Sequence, residues 1–442
     1  MTQSDEQNTG VRAVLAIPDF RRLWLGQTIS QIGDGLTNLA ILIVINKLSG
    51  STAALATMMI VIALPQLVFG LISGVFVDRW DRKKIMIISD LIRGGLVMGF
   101  ILVRRPEDIW IFYVLGFLQA AIGTLFDPAK SAIIPNIVDR SMLLAANSLS
   151  QTTRVITGVI GSALAGVLVG LAGTASPAFL LDGLSFFLSA LFISRIANPS
   201  PVELLATGGV RETLGQLSDG LHFMASRRLL VGVMVTFAVT MLGLGAINVL
   251  IVPFLVNHLQ ISTEALGVTE AAQVIGMVVG SGLVAILAAR LKVTQIIVAG
   301  IFGLGLCVAM FGAVNSVWMA LVILFLVGLC LTPAQSAAST IIQANVPDDK
   351  RGRAGSALNT VITLASVISM ASAGLLGDAL GVREVFFLSG GVTACAGLLA
   401  AVLMRSPGTP FLPGAGYLLH TLAKKPADEQ AASTIVREES RE

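Results

Sequence analysis

The chain has 442 residues, of which 55% are hydrophobic and only 12% charged, with a mean hydropathy of +0.86 and a formal net charge of +3. A soluble globule clothes itself in roughly 25% charged residues, so this composition excludes an ordinary soluble enzyme and calls for a surface that faces lipid. The small net charge excludes a partner bound through a strong basic field, nucleic acid above all.

A bilayer core about 30 Å thick takes roughly 20 helical residues to cross. Twelve apolar runs are long enough, at 22–46, 53–77, 85–103, 108–133, 142–171, 177–197, 229–257, 264–289, 293–313, 316–343, 354–379 and 384–404. The expected fold class is therefore all-α integral membrane. The first ten residues are polar and the first run is full length, so that run is expected to act as its own insertion signal.

The first run carries Gln27, Gln31, Asp34 and Asn38 at spacings of four, three and four, which places them on one helical face. Lipid offers such a stripe no hydrogen bonds, so it must face protein or a wet cavity. Asp34 lies about twelve residues past Arg22, roughly 18 Å into the bilayer at 1.5 Å per residue. An ionisable group at that depth is a functional candidate by default, either exchanging a proton or meeting a cationic group. The stripe reads as the wall of a central cavity, lined by Gln27, Gln31 and Asn38; a stripe buried against another helix of the same bundle is the plainer alternative.

Between runs two and three stands Gly74-Val75-Phe76-Val77-Asp78-Arg79-Trp80-Asp81-Arg82-Lys83-Lys84. Gly74 permits two helices to approach closely, and Asp78 can face the positive N-terminal end of a neighbour. Arg82 with Asp90 or Arg93 would complete a charge cluster there, a conformational latch made of Gly74, Asp78, Arg79, Arg82, Asp90 and Arg93. The same loop also reads as a basic topogenic segment and nothing more.

Run four brings Gln119, a candidate for lining a cavity, and then Asp127 and Lys130 near its end, which read as a gate or structural pair. Run five carries Arg154 at a depth comparable to Asp34, so the two could pair; Arg154 also reads as an internal structural ion. The small residues from Gly158 to Gly166 that follow allow tight packing. Residues 198–228 hold Pro199-Ser200-Pro201 and an amphipathic stretch, and divide six runs from six. In the second half Asn248, Glu270, Gln273, Thr332 and Gln335 are weaker cavity candidates.

The string DPAKSA at Asp127 to Ala132 returns as TPAQSA at Thr332 to Ala337, each closing an even-numbered run. Two like-oriented six-span bundles with a site between them are the geometry of an alternating-access carrier. The expected organisation is a segment 1–21, a bundle 22–197, a linker 198–228 with an amphipathic helix, a bundle 229–404 and a tail 405–442. Of the 29 Lys and Arg, four (Lys47, Arg104, Arg105, Arg383) fall in alternate loops and two (Arg93, Arg154) within runs, leaving 23 on the side that holds the N-terminus. Because basic loops stay on the cytoplasmic side, both termini are expected in the cytoplasm and the chain in the cell membrane, the inner membrane of a two-membrane cell.

Cys307, Cys330 and Cys395 have no metal or disulfide spacing, His222, His258 and His420 are scattered, and no phosphate-binding loop is present. No metal, cofactor or catalytic centre is expected, and an ion gradient is the remaining energy source.

The Gly74 to Lys84 loop closely resembles the G-x-x-x-D-R-x-x-R-[RK]-[RK] motif of the major facilitator superfamily. The resemblance places the partner of Asp78 on the eleventh span, near Gly352 to Ser356, and implies a latch that favours an outward-open state. PDFRRLWLGQTISQIGDGLTNLA and FDPAKSAIIPNIV resemble more narrowly the exporters grouped around the enterobactin exporter and the macrolide efflux proteins. Ser162 stands where the antiporter motif of the fifth span has proline. The reading is proton-coupled efflux of small amphipathic or hydrophobic compounds by a monomer in contact with membrane lipids; a lipid or lysophospholipid transporter of the same fold is the alternative.

Overall fold

The computed structural model describes residues 10–77, 80–197 and 210–404. They form α1 (Val11–Ala16), α2 (Pro18–Ser49), α3 (Thr52–Val77), α4 (Arg82–Gly99), α5 (Ile109–Ile137), α6 (Leu143–Ala172), α7 (Ser176–Ser194), α8 (Val210–Ala225), α9 (Arg228–Pro253), α10 (Leu266–Arg290), α11 (Val293–Phe311), α12 (Val317–Asn345), α13 (Asp348–Leu380) and α14 (Val382–Leu403), with no strand among the described residues. All but α1 and α8 are long and apolar enough to cross a membrane. Each of the twelve apolar runs falls mainly on one of these helices, and the largest extension is that of α13, which begins at Asp348, six residues before its run.

Local chemistry sets the helix ends. Pro18 opens α2, where its fixed φ suits a first helical residue, and Gly50 closes it at φ 60°, a left-handed conformation that costs glycine nothing. The Asp81 carboxylate accepts the Lys84 N–H at 3.2 Å and caps α4. The Ser316 hydroxyl does the same for the Met319 N–H at the start of α12.

In the first bundle α2 packs on α6 and α7, α4 on α5 and α7, and α3 on α5; in the second α9 packs on α13 and α14, α11 on α12 and α14, and α10 on α12. Each bundle has its own cluster of three rings. Phe100, Phe112 and Phe179 lie 5.3 to 5.8 Å apart, and Phe254, Phe311 and Phe386 lie 5.1 to 5.2 Å apart. Where α2 crosses α6 the backbones touch: a Cβ on Gly35 would lie 2.9 Å from the Gly161 Cα, a closeness only small residues allow. The outward faces stay apolar, with Leu171, Val278 and Leu375 exposed. Trp110 and Trp318, which open α5 and α12, are exposed at matching places in the two halves, where a bilayer interface favours tryptophan.

The bundles meet through α3 with α13 and α6 with α10. These contacts gather at the end that carries the Gly50 loop, the α9–α10 connection and the Gly381 turn, here the sealed end. There Asn46 bonds Asn257, and Asp378 bonds the first residues of α3. The opposite end carries the basic loops. On that side α8 lies against the start of α13, with Asp219 at 3.5 Å from Arg353 and Met224 fully buried.

Candidate functional site

A cavity of about 580 Å³ lies within the first bundle and against the second. It extends from Ile41 and Met58, toward the sealed end, to Asp127 and Lys130, nearer the basic end. Helix α2 supplies Gln27, Ser30, Gln31, Asp34 and Asn38; α3 supplies Gln66, α4 Arg93, α5 Gln119, and α6 Arg154, Gly158 and Ser162. From the second bundle Glu270 joins them. Most of these side chains are polar, so the wall is wetter than the apolar composition of the spans suggests. The fourfold spacing of Arg154, Gly158 and Ser162 puts them on one face of α6 for the reason that aligns the α2 stripe.

Asp34 sits at the middle of α2, and its Oδ1 accepts the Arg93 Nη2 of α4 at 2.9 Å. The Arg93 guanidinium also lies 4.2 Å from the centre of the Phe186 ring on α7, so one planar cation is held between a carboxylate and an aromatic face. The partner of Asp34 is thus Arg93, and Arg154, which depth alone makes an equal candidate, stands exposed on the cavity wall and forms no ion pair among the described residues. Helix rotation decides between them: Arg93 is carried toward α2 and Arg154 into the cavity.

Two carboxyls lie behind this pair. Asp90, one turn before Arg93, is fully buried beside Ser189, with no hydrogen-bond partner within 3.5 Å of either oxygen. Asp182 of α7 is fully buried as well; its Oδ1 accepts the Ser185 hydroxyl at 3.2 Å and its Oδ2 has no partner. Asp182 lies directly against Gly33, where a Cβ would run into its carboxylate. Sequence reasoning passes over Asp182, although a lone acid inside the apolar string SPAFLLDGLSFFLS is itself a signal.

The other expected residues divide. Gln27 donates to the Ser189 hydroxyl at 3.4 Å and Gln31 accepts from the Thr157 hydroxyl at 3.1 Å, so the α2 stripe both lines the cavity and ties α2 to α6 and α7. Asn38 and Gln119 line the wall, whereas Asn248 and Gln335 are exposed and stand outside the lining. Lys130 bridges to Asp127 at 3.4 Å across one helical turn. Gly74 falls in the last turn of α3, and Asp78 and Arg79 lie outside the described residues.

The charge cluster of Arg82 with Asp90 or Arg93 does not form. Arg82 donates to the Ala132 carbonyl at 3.1 Å, while Asp90 and Arg93 lie eight and eleven residues further along α4, about 12 and 16 Å deeper at 1.5 Å per residue. They belong to the cavity wall and its backing.

A family model described as "Transmembrane secretion effector" matches residues 9–409. Macrolide efflux protein A of Streptococcus pyogenes is 24% identical over 392 residues, covering 87% of this chain and 95% of that protein. An uncharacterized MFS-type transporter of Bacillus subtilis, YfiS, is 28% identical over 394 residues, 86% of this chain and 92% of its own. The multidrug efflux pump Tap of Mycobacterium bovis is 24% identical over 376 residues, 83% and 89%. Among solved structures, the nucleoside transporter NupG superposes with a TM-score of 0.70 at 13% identity, covering 88% of this chain and 99% of that one. A bacterial homologue of the iron transporter ferroportin does so with 0.69 at 14%, covering 89% and 100%. The chain belongs to the transmembrane secretion effector family of the major facilitator superfamily, and is a multi-pass inner-membrane efflux transporter rather than an enzyme.

Proposed function

We propose that this member of the transmembrane secretion effector family exports small amphipathic compounds in exchange for protons, by alternating access of one cavity to the two faces of the membrane. The observation that carries the reading is the Asp34 to Arg93 pair in the cavity wall, backed by Asp90 and Asp182, two buried carboxyls without an ion-pair partner among the described residues. Three acids share one close cation at mid-membrane depth, where an unpaired ionised carboxylate is costly. A proton on Asp34 frees Arg93, and loss of that proton restores the pair. Substrate and proton compete for the same wall, the physical core of exchange.

The lining mixes its polar groups with Ile41, Met58, Ile62 and Phe126, which suits a compound that brings hydrogen-bonding groups along with apolar surface. The lysophospholipid reading stands second. The names of the relatives, macrolide and multidrug efflux among them, support the same substrate class.

The test is uptake of a fluorescent amphipathic cation into inside-out vesicles under an imposed pH gradient, wild type beside Asp34→Asn. Uptake that follows the gradient and is lost in the variant is expected. Equal gradient-driven uptake by the variant removes Asp34 from the coupling, and uptake indifferent to the gradient removes protons.

A further inference from the structure

Asp378 lies near the end of α13, in the second bundle, yet its hydrogen bonds go to the first. Its Oδ1 accepts the Thr52 N–H at 2.7 Å and the Thr52 hydroxyl at 2.8 Å. Its Oδ2 accepts the Ser51 hydroxyl at 2.7 Å and the Ala53 N–H at 3.2 Å. Thr52 and Ala53 begin α3, so the carboxylate takes two of the four N–H groups that a helix start leaves without a partner and sets a negative charge at the positive end of the helix. All four bonds are charge-assisted.

The helices are shaped to allow this. Gly374 and Gly377, one turn and one residue before Asp378, face α3: a Cβ on Gly374 would lie 3.1 Å from the Ala53 Cα, and one on Gly377 would lie 3.1 Å from the Thr52 Cβ. The Gly374 carbonyl also lies 2.8 Å from the Thr52 hydroxyl, so the one proton of that hydroxyl is shared between it and Asp378. At the other end of the same helix the situation differs, since a Cβ on Gly352 or Gly355 would meet nothing within 4 Å. Helix α13 therefore lies close against α3 where the cavity is sealed, while at its opposite end its close neighbour is Gly220 of α8, beside Arg353, and Gly352 and Gly355 face open space.

We propose that Asp378 is a positioning residue of the transport cycle, a latch that holds the start of α3 while this end is sealed and must release it for this end to open. The bonds span the boundary between the bundles, so no separation of α3 from α13 at this end can keep them. Asp378 is exposed at the rim, so water can take over each bond as it breaks, and exposed charged contacts are weak enough to be reversible. A buried version of the same cap would weld the end shut. The role holds whichever ion drives export, because the contact involves no cavity residue.

Two spin labels report on the gap in the full-length protein reconstituted in liposomes: one at Lys47 and one at Gln260, exposed positions at the sealed end of the first and second bundles. Distances are measured in wild type, Asp378→Asn, Asp378→Glu and, from the other side of the contact, Ser51→Ala with Thr52→Val. The expected result is a threefold or greater rise in the separated population for Asp378→Asn and for the Ser51/Thr52 variant, little change for Asp378→Glu, and no further rise when the two lesions are combined. An unchanged distribution in a folded Asp378→Asn protein overturns the proposal. So does a fall in thermal stability with no change in distance, which would make the contact mere packing. If Asp378→Asn does not fold, the Ser51/Thr52 variant decides by the same distances, and an unchanged distribution there overturns the proposal equally.

Discussion

Asn46 of α2 and Asn257, just past the end of α9, exchange two hydrogen bonds: each Nδ2 donates to the other's Oδ1, at 3.0 and 3.1 Å. The pair joins the first helix of one bundle to the first helix of the other, a self-complementary contact that a near-twofold axis between like bundles produces naturally. Hydrogen bonds between membrane helices are worth about 0.6 to 2 kcal/mol. Asn46→Ala should then shift the balance toward opening of the sealed end by roughly 3- to 30-fold. Alkylation of Ile41→Cys from the sealed side, in a background freed of Cys307, Cys330 and Cys395, measures the shift. An unaltered rate would show that the amides decorate the seal without holding it.

The Asp34 to Arg93 pair makes a prediction in stability. Removing one member of a buried pair costs about 3 to 5 kcal/mol, and less here, because the Asp34 side chain keeps 32% of its exposure toward the cavity. Arg93→Gln should lower the thermal midpoint of the purified protein, and Asp34→Asn with Arg93→Gln should recover most of the loss by removing the orphaned charge. Gradient-driven uptake stays absent in both. A single Arg93→Gln as stable as wild type would contradict the pairing.

Gly267 and Gly276 lie on one helix, α10, and should fail differently. A Cβ on Gly267 would run into Ala163 of α6, across the bundle boundary, whereas one on Gly276 would run into the Phe325 carbonyl of α12 within the second bundle. Gly276→Val is expected to reduce the folded yield, since overpacking costs about 1 to 3 kcal/mol. Gly267→Val is expected to fold, because the bundles can part, and to slow transport while raising access from the sealed end. Measuring yield and labelling together separates the two; equal loss of yield would show that the boundary behaves as a core.

Asp182 offers the sharpest check on the buried acids. Asp182→Asn keeps an oxygen for the Ser185 hydroxyl and removes the ionisable group, so folding should survive. Uphill uptake driven by a pH gradient should fall at least about tenfold, one 1.4 kcal/mol step in free energy, while downhill substrate exchange continues. Uptake at the wild-type rate would confine Asp182 to packing.

Some of the site is readable along the chain. The stripe of Gln27, Gln31, Asp34 and Asn38 follows from helical spacing alone, and all four residues line the cavity. Asp182 and Gln66 are within reach of the same reasoning, as polar groups inside apolar runs. Asn248 and Gln335 satisfy that rule too and stand outside the lining, because depth in a span says nothing about which way a side chain is turned. Asp378 gives little sign in the sequence: it stands in the last turn of the eleventh run, at the membrane edge where an acid is ordinary, and only the arrival of α3 beside α13 supplies its donors.

What the sequence by itself determined is one-dimensional. The number of spans follows from apolar length against bilayer thickness, the division into six and six from the charged linker, and the membrane class from composition, because each depends on a sum over neighbouring residues. Only the tertiary structure decided the partners: Arg93 rather than Arg154 for Asp34, and α3 rather than water for Asp378. Those depend on the rotation of each helix about its axis and on which helices lie side by side, and both are set by the packing of glycines and rings from distant parts of the chain.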